Sequence, residues 1–136
     1  MENNKLQFFM AMIPPTKTYQ EHRLGVDKSG KPFVYPDAEL KAVRNKLTAH
    51  LGKHVPVKPY SGAVRLTVRW CFPITGKHTV GEYKISKPDT DNLQKLLKDC
   101  MTTVGYWKDD AQVASELTEK FYSDVPGIFV KVENVR

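Results

Sequence analysis

The sequence predicts a single small α+β domain, a mixed or antiparallel sheet with two main helices packed on it. Three observations carry that expectation. The 136 residues suit one domain, here taken as residues 1–136, and are enough to bury a core without disulfides or structural metal. Two segments space their apolar residues by threes and fours, whereas several shorter ones show apolar runs or strict alternation. The elements read in the order strand, hairpin, helix, strand, helix, strand, strand, which is that of one mixed layer covered by helices.

Residues 6–13 read as a buried strand closed by Pro14-Pro15, which cannot continue a ladder. Residues 23–35 read as a hairpin: Leu24-Gly25-Val26 and Phe33-Val34-Tyr35 flank the turn signal Asp27-Lys28-Ser29-Gly30-Lys31. Pro36-Asp37 opens a helix that runs to about Gly52, with Leu40, Val43, Leu47 and Leu51 on one face. Residues 64–72 alternate as a half-buried strand. Residues 73–83 contain Gly76, Lys77, His78 and Gly81 and read as a mobile loop. A second helix is expected over 91–103, then strands over 112–122 and 128–132 joined at Val125-Pro126-Gly127.

Composition narrows the function. Hydrophobic residues make up 40% and charged residues 26%, which excludes general disorder. The longest apolar runs, such as 8–13, are too short to span a bilayer. Met1-Glu2-Asn3-Asn4 lacks the basic start and apolar stretch of a signal peptide. Cys71 and Cys100, the two cysteines, form neither a disulfide framework nor a zinc cluster, so a cytoplasmic location is expected. Lysine and arginine total 21 against 15 acids, a net charge of +6 that suits a polyanionic partner. The histidines, His22, His50, His54 and His78, are scattered without metal-ligand spacing.

The chemistry concentrates in Lys87-Pro88-Asp89-Thr90-Asp91-Asn92-Leu93-Gln94-Lys95 and in Trp107-Lys108-Asp109-Asp110-Ala111-Gln112-Val113. An extended stretch over 89–91 would point both carboxylates to one side. Within the second helix, Asp91, Lys95 and Asp99 form a polar stripe opposite Leu93, Leu96, Leu97, Cys100, Met101 and Val104. Two readings stay open on spacing alone. The acids are helix caps and i,i+4 ion pairs, or they are oxygen ligands of a hard divalent cation, which would explain like charges held together in a basic protein. Tyr106 and Trp107 read as packing beneath the acidic turn.

Taken together, Lys-Pro-Asp-x-Asp-Asn-Leu-x-Lys, the helical Asp99 and Gly-x-Trp-x-Asp-Asp-x-Gln-Val resemble the RusA family of Holliday junction resolvases. The resemblance is dense over 87–113 and looser through 116–132. It implies that Asp89, Asp91 and Asp110 are metal-binding catalytic aspartates, that Lys95 is the essential lysine, and that Asn92 contacts DNA or orders the site. Lys84 and Lys87, just before the first aspartate, are assigned to DNA contact. Asp109 is expected to be a cap or a support, and Asp99 a partner of Lys95 or of basic neighbours.

The resemblance further implies a Mg²⁺-dependent endodeoxyribonuclease, with Mn²⁺ as substitute. It would act on four-way junctions and other branched DNA as a homodimer, by paired symmetric nicks leaving 5′-phosphate and 3′-hydroxyl ends in recombination and repair, with no membrane association. Two alternatives remain: a phage nuclease acting on flaps or other branched DNA, and a catalytically silent branched-DNA-binding module.

Overall fold

The computed structural model describes residues 5–18, 23–26, 30, 32–35 and 38–136. Among the described residues, six strands and two main helices follow in the expected order: β1 (Lys5–Met10), β2 (Arg23–Val26), β3 (Pro32–Tyr35), α1 (Ala38–Gly52), β4 (Val64–Pro73), α2 (Thr90–Val104), β5 (Val113–Ser123) and β6 (Gly127–Asn134). A 3-10 turn, Asp110–Gln112, leads into β5. Strands β2 and β3 form the antiparallel hairpin. Most of its expected turn, and Pro36-Asp37 at the expected start of α1, lie outside the described residues, as does His22.

Strands β1, β6, β4 and β5, in that spatial order, make one mixed sheet. Both β1–β6 and β6–β4 are antiparallel, and β4–β5 is parallel. Parallel neighbours need a crossover, and α2 provides it.

One face of the sheet carries both helices. Strand β4 buries alternate residues, Val64, Leu66, Val68, Trp70 and Phe72, as a strand with one covered face must. They meet Leu93, Leu96, Leu97, Cys100 and Met101 of α2, Leu40, Leu47 and Leu51 of α1, and Ile128, Val130 and Val132 of β6 in one core. Each such side chain contributes roughly 1.5–3 kcal/mol by leaving water. Lys5, Gln7, Arg65 and Arg69 point from the opposite face and stay exposed.

Several boundaries depart from expectation. Strand β1 stops at Met10 rather than at residue 13. Its sole ladder partner among the described strands is β6, which begins at Gly127, so Met10 opposite Ile128 is the last register pair. Beyond it Met12 is buried while Ile13 is 62% exposed. The last two strands, expected to be joined at Val125-Pro126-Gly127, do not pair with each other. Strand β4 lies between them, and residues 124–126 carry the chain across its end, a span of about two strand spacings, ~10 Å.

Candidate active site

The segment after β4 is pinned, in contrast to the mobile loop expected at 73–83. Pro73 itself still belongs to β4. The chain then turns back along the outer edge of β5. There the Gly81 N–H donates to the Tyr122 carbonyl at 2.8 Å, the Tyr122 N–H to Glu82 at 2.9 Å, and the Lys84 N–H to Lys120 at 2.9 Å. The His78 ring stacks on Tyr122 at 4.1 Å, and its Nδ1 meets Glu82 Oε2 at 2.6 Å. That bond holds the Glu82 carboxyl below its usual range. A sheet edge with unpaired backbone groups is a template for such an added segment, and pairing of this kind is invisible to local pattern.

The loop delivers Asp89 to the start of α2. The Lys87–Pro88 peptide is cis. Asp89 is extended (φ −73°, ψ 149°), and the helix begins at Thr90. The extended stretch considered for 89–91 therefore ends at its first residue, and Asp91 takes its direction from helical geometry. Asp89 stands at the N-cap position without a side-chain capping bond. Its carboxylate instead accepts from Lys87 Nζ at 3.0 Å. Asp91 Oδ1 accepts from the Asn92 N–H at 3.0 Å.

Gly105 closes α2 in the left-handed conformation (φ 109°), with its N–H bonded to the Met101 carbonyl. Glycine adopts this geometry without a Cβ penalty. The next two side chains are driven inward: Tyr106 and Trp107 are buried. Tyr106 Oη donates to the Leu51 carbonyl at 2.7 Å, and Trp107 Nε1 to Thr102 Oγ1 at 2.7 Å. Burial pushes the Tyr106 phenol far above its ordinary value.

On this base stands the acidic turn. Asp109 caps it, accepting from the Ala111 N–H at 2.9 Å. Gln112 closes the capping box, its Oε1 accepting from Lys108 N at 3.1 Å and from Asp109 N at 3.3 Å. Its Nε2 donates to the Tyr60 and Gly62 carbonyls, each at 3.0 Å. With Asp109 spent on capping, Asp110 is the acid of the doublet that faces the cleft.

That cleft, about 510 Å³, is lined by Asp91, Lys95, Asp99 and Asp110, with Thr90, Gln94, Lys98, Glu116 and Thr118. The structure thus brings three of the four expected catalytic residues to one concavity. Asp89 is not among its lining residues, nor are Asn92, Lys84 and Lys87. Lys87 is largely exposed, whereas Lys84 Nζ lies 5.2 Å and 5.3 Å from the Phe72 and Tyr122 ring centroids and donates to Ser86 Oγ at 2.6 Å. The cleft offers carboxylate, hydroxyl and amide oxygens and neither His nor Cys, which fits a hard cation. Among the described residues no three Asp, Glu, His or Cys side chains converge as a finished ion cage.

Several lining residues escaped the sequence reading. Gln94 lies buried on α2. Its Oε1 accepts from Trp70 Nε1 at 3.1 Å, and its Nε2 donates to Glu116 Oε2 at 3.3 Å. Thr118 Oγ1 also accepts from Trp70 Nε1 at 3.1 Å, and Lys98 Nζ reaches Glu116 Oε1 at 3.3 Å. The available signal was the polar row Glu116, Thr118 and Lys120, spaced by two in β5. Burial raises the thiols of Cys71 and Cys100 above their ordinary value, so neither is primed as a nucleophile. His54 stacks on Phe8 at 4.3 Å, a packing role.

Comparison with known proteins shows the family. The family described as Endodeoxyribonuclease RusA matches residues 14–133. A protein named crossover junction endodeoxyribonuclease rusA, from Lactococcus phage r1t, is 33% identical over 98 residues, covering 71% of this chain and 70% of the relative. The Bacillus subtilis (strain 168) protein YqaN, itself uncharacterized, is 27% identical over 122 residues, covering 82% of this chain and 85% of the relative. With the family match running through both acidic segments, the helix between them and the strands beyond, the chain belongs to the RusA family of endodeoxyribonucleases.

Proposed function

We propose that this endodeoxyribonuclease resolves four-way DNA junctions by paired nicks on symmetry-related strands, with Mg²⁺ as its cofactor and Mn²⁺ as a substitute. The observation that carries the reading is the meeting of Asp91, Lys95 and Asp110 in one cleft. The phage relative is named for crossover junctions, and the +6 charge suits a phosphate backbone.

Asp89, Asp91 and Asp110 would hold the cation. Mg²⁺ commonly takes only one or two protein carboxylates and completes its shell with water and substrate phosphate, so the cleft needs no closed protein cage. When bound, such an ion polarises the phosphate and lowers the pKa of a water.

The chain's own residues do the rest. Lys95, one helical turn from Asp91, presents a fixed positive charge to the phosphate as negative charge builds on it. Asn92, Lys87 and Lys84 flank the helix start and would contact DNA. Gln94, locked between Trp70 and Glu116, keeps the floor of the cleft rigid.

A four-way junction offers two equivalent strands, and a two-fold homodimer offers two equivalent clefts. The described residues contain no helix long and apolar enough to cross a membrane, and the proposed setting is the cytoplasm.

The test is a nicking assay on a synthetic four-way junction beside linear duplex and flap controls, with Mg²⁺, Mn²⁺, Ca²⁺ or chelator. Paired nicks with Mg²⁺ or Mn²⁺, binding without cutting in Ca²⁺, and silence in chelator are expected. Preferential cutting of flaps would move the substrate to other branched DNA. Robust cleavage in chelator would overturn the metal assignment.

A further inference from the structure

Lys120 occupies a sheet position that faces the helix layer. It lies on β5 opposite Trp70 of β4, and burial together with the nearby Lys84 pulls its ammonium below the usual lysine range. A cation is costly there unless hydrogen-bonded. Its Nζ donates to the Ser86 carbonyl at 2.7 Å and to the Pro88 carbonyl at 2.8 Å. Its own carbonyl accepts from the Lys84 N–H at 2.9 Å. One residue of the sheet thus ties the loop at 84, 86 and 88.

The Pro88 carbonyl is one peptide away from Asp89, whose carbonyl accepts the first helical bond of α2, from the Leu93 N–H at 3.1 Å. The Asp89 side chain makes no capping bond, and its partner Lys87 is 80% exposed. Apart from that helical bond, no side-chain cap steadies the Asp89 backbone. The Lys120 clamp does, by joining the loop to β5 on the face of the sheet that carries the helices.

We propose that Lys120 is a positioning residue for cleavage, setting the Asp89 carboxylate through the Ser86 and Pro88 carbonyls. This rests on the reading that Asp89 serves the nicking reaction. Lysine suits the task because a tetrahedral ammonium satisfies two carbonyls on one side of a loop, whereas an apolar residue would leave both without a donor.

The experiment compares wild type, Lys120→Met and Lys120→Arg in three readouts. These are single-turnover nicking of a four-way junction in Mg²⁺, junction affinity in Ca²⁺, and amide hydrogen exchange over residues 84–91. Lys120→Met is expected to slow nicking by about 10–100-fold, the scale of a ~1 Å misplacement. Affinity should stay within about twofold, and faster exchange should be confined to 84–91. Lys120→Arg, which keeps charge and donors, should recover most of the rate.

An unchanged nicking rate overturns the proposal. So does a loss of affinity as large as the loss of rate, which would make Lys120 a DNA phosphate contact. So does faster exchange spread over the whole sheet. If Lys120→Met does not fold, Lys120→Gln, which retains a donor, is judged by the same three readouts. A wild-type protein that nicks no junction overturns the functional reading instead, and the exchange measurement then decides on the clamp alone.

Discussion

Replacing Gln112 with alanine removes the side chain that holds the acidic turn to the rest of the protein. Four hydrogen bonds disappear: two from backbone N–H groups of Lys108 and Asp109, and two to the carbonyls of Tyr60 and Gly62. The bond to Tyr60 is partly buried and the other three are exposed. Taking ~1 kcal/mol for the first and ~0.5 kcal/mol for each of the others gives a loss of about 2.5 kcal/mol. At roughly 3 °C per kcal/mol for a chain of this size, Tm should fall by about 8 °C. Urea unfolding at constant m-value should give the same free energy.

Asp110 follows Asp109 directly in this turn, so nicking should drop by more than the unfolded fraction explains, while junction affinity in Ca²⁺ holds. The isosteric Gln112→Glu should be at least as damaging. Its second carboxylate oxygen would face the Tyr60 and Gly62 carbonyls with no proton to share. A Tm loss below ~3 °C with full nicking activity would refute the argument, because neither the staple nor its coupling to Asp110 would then matter.

Asp89→Asn, Asp91→Asn and Asp110→Asn should each remove nearly all cleavage in the junction assay while Tm and junction binding persist, since shape is kept and only charge is lost. Lys95→Ala should fail equally, and titrating Mg²⁺ or Mn²⁺ should not restore it, because the lysine acts on the phosphate rather than as a ligand. Tyr106→Phe should cost about 1 kcal/mol at pH 7 through the lost bond to Leu51. The phenol's folded pKa is raised, so its contribution is complete below the unfolded value near 10 and is lost as pH climbs above it. Tyr106→Phe should accordingly flatten the alkaline limb of a stability–pH profile. Gly127→Ala would drive a Cβ into the Phe9 ring and to 2.7 Å from the Met10 carbonyl, and should destabilise by about 1–3 kcal/mol in a thermal melt.

What the sequence made legible was local. The Asp91–Lys95 stripe and the buried face of α2 follow from helical spacing, and the turn around Asp110 follows from a contiguous motif with its own cap. Tyr106 and Trp107 lie beneath that turn as their size suggested. What stayed hidden depends on partners far along the chain. Glu116 becomes part of the cleft only because β5 lies parallel to β4 and lifts Gln94 and Trp70 into contact with its row. The loop after Pro73 looked free because its partners, Lys120 and Tyr122, come some forty residues later. The end of β1 departs from its local signal for the same reason. Pro14 is a local stop signal, whereas the true stop is the start of β6 at Gly127.

The place of β6 between β1 and β4 has a kinetic consequence. Lys5 finds its register partner in Glu133, so the first strand emerging from a ribosome has no ladder partner until nearly all the residues described here have followed. At about 5–20 residues per second that delay lasts from several seconds to almost half a minute. Throughout it, Phe8 and Met10 lack the β6 residues that they later pack beside. Contacts of such long sequence separation also place refolding toward the slow end for domains of this size. The helical pair and the β4–α2–β5 unit can form earlier, leaving an open groove beside β4 into which β6 inserts last. In the nascent chain, the cleft-bearing half of the protein can therefore take shape before the sheet is closed.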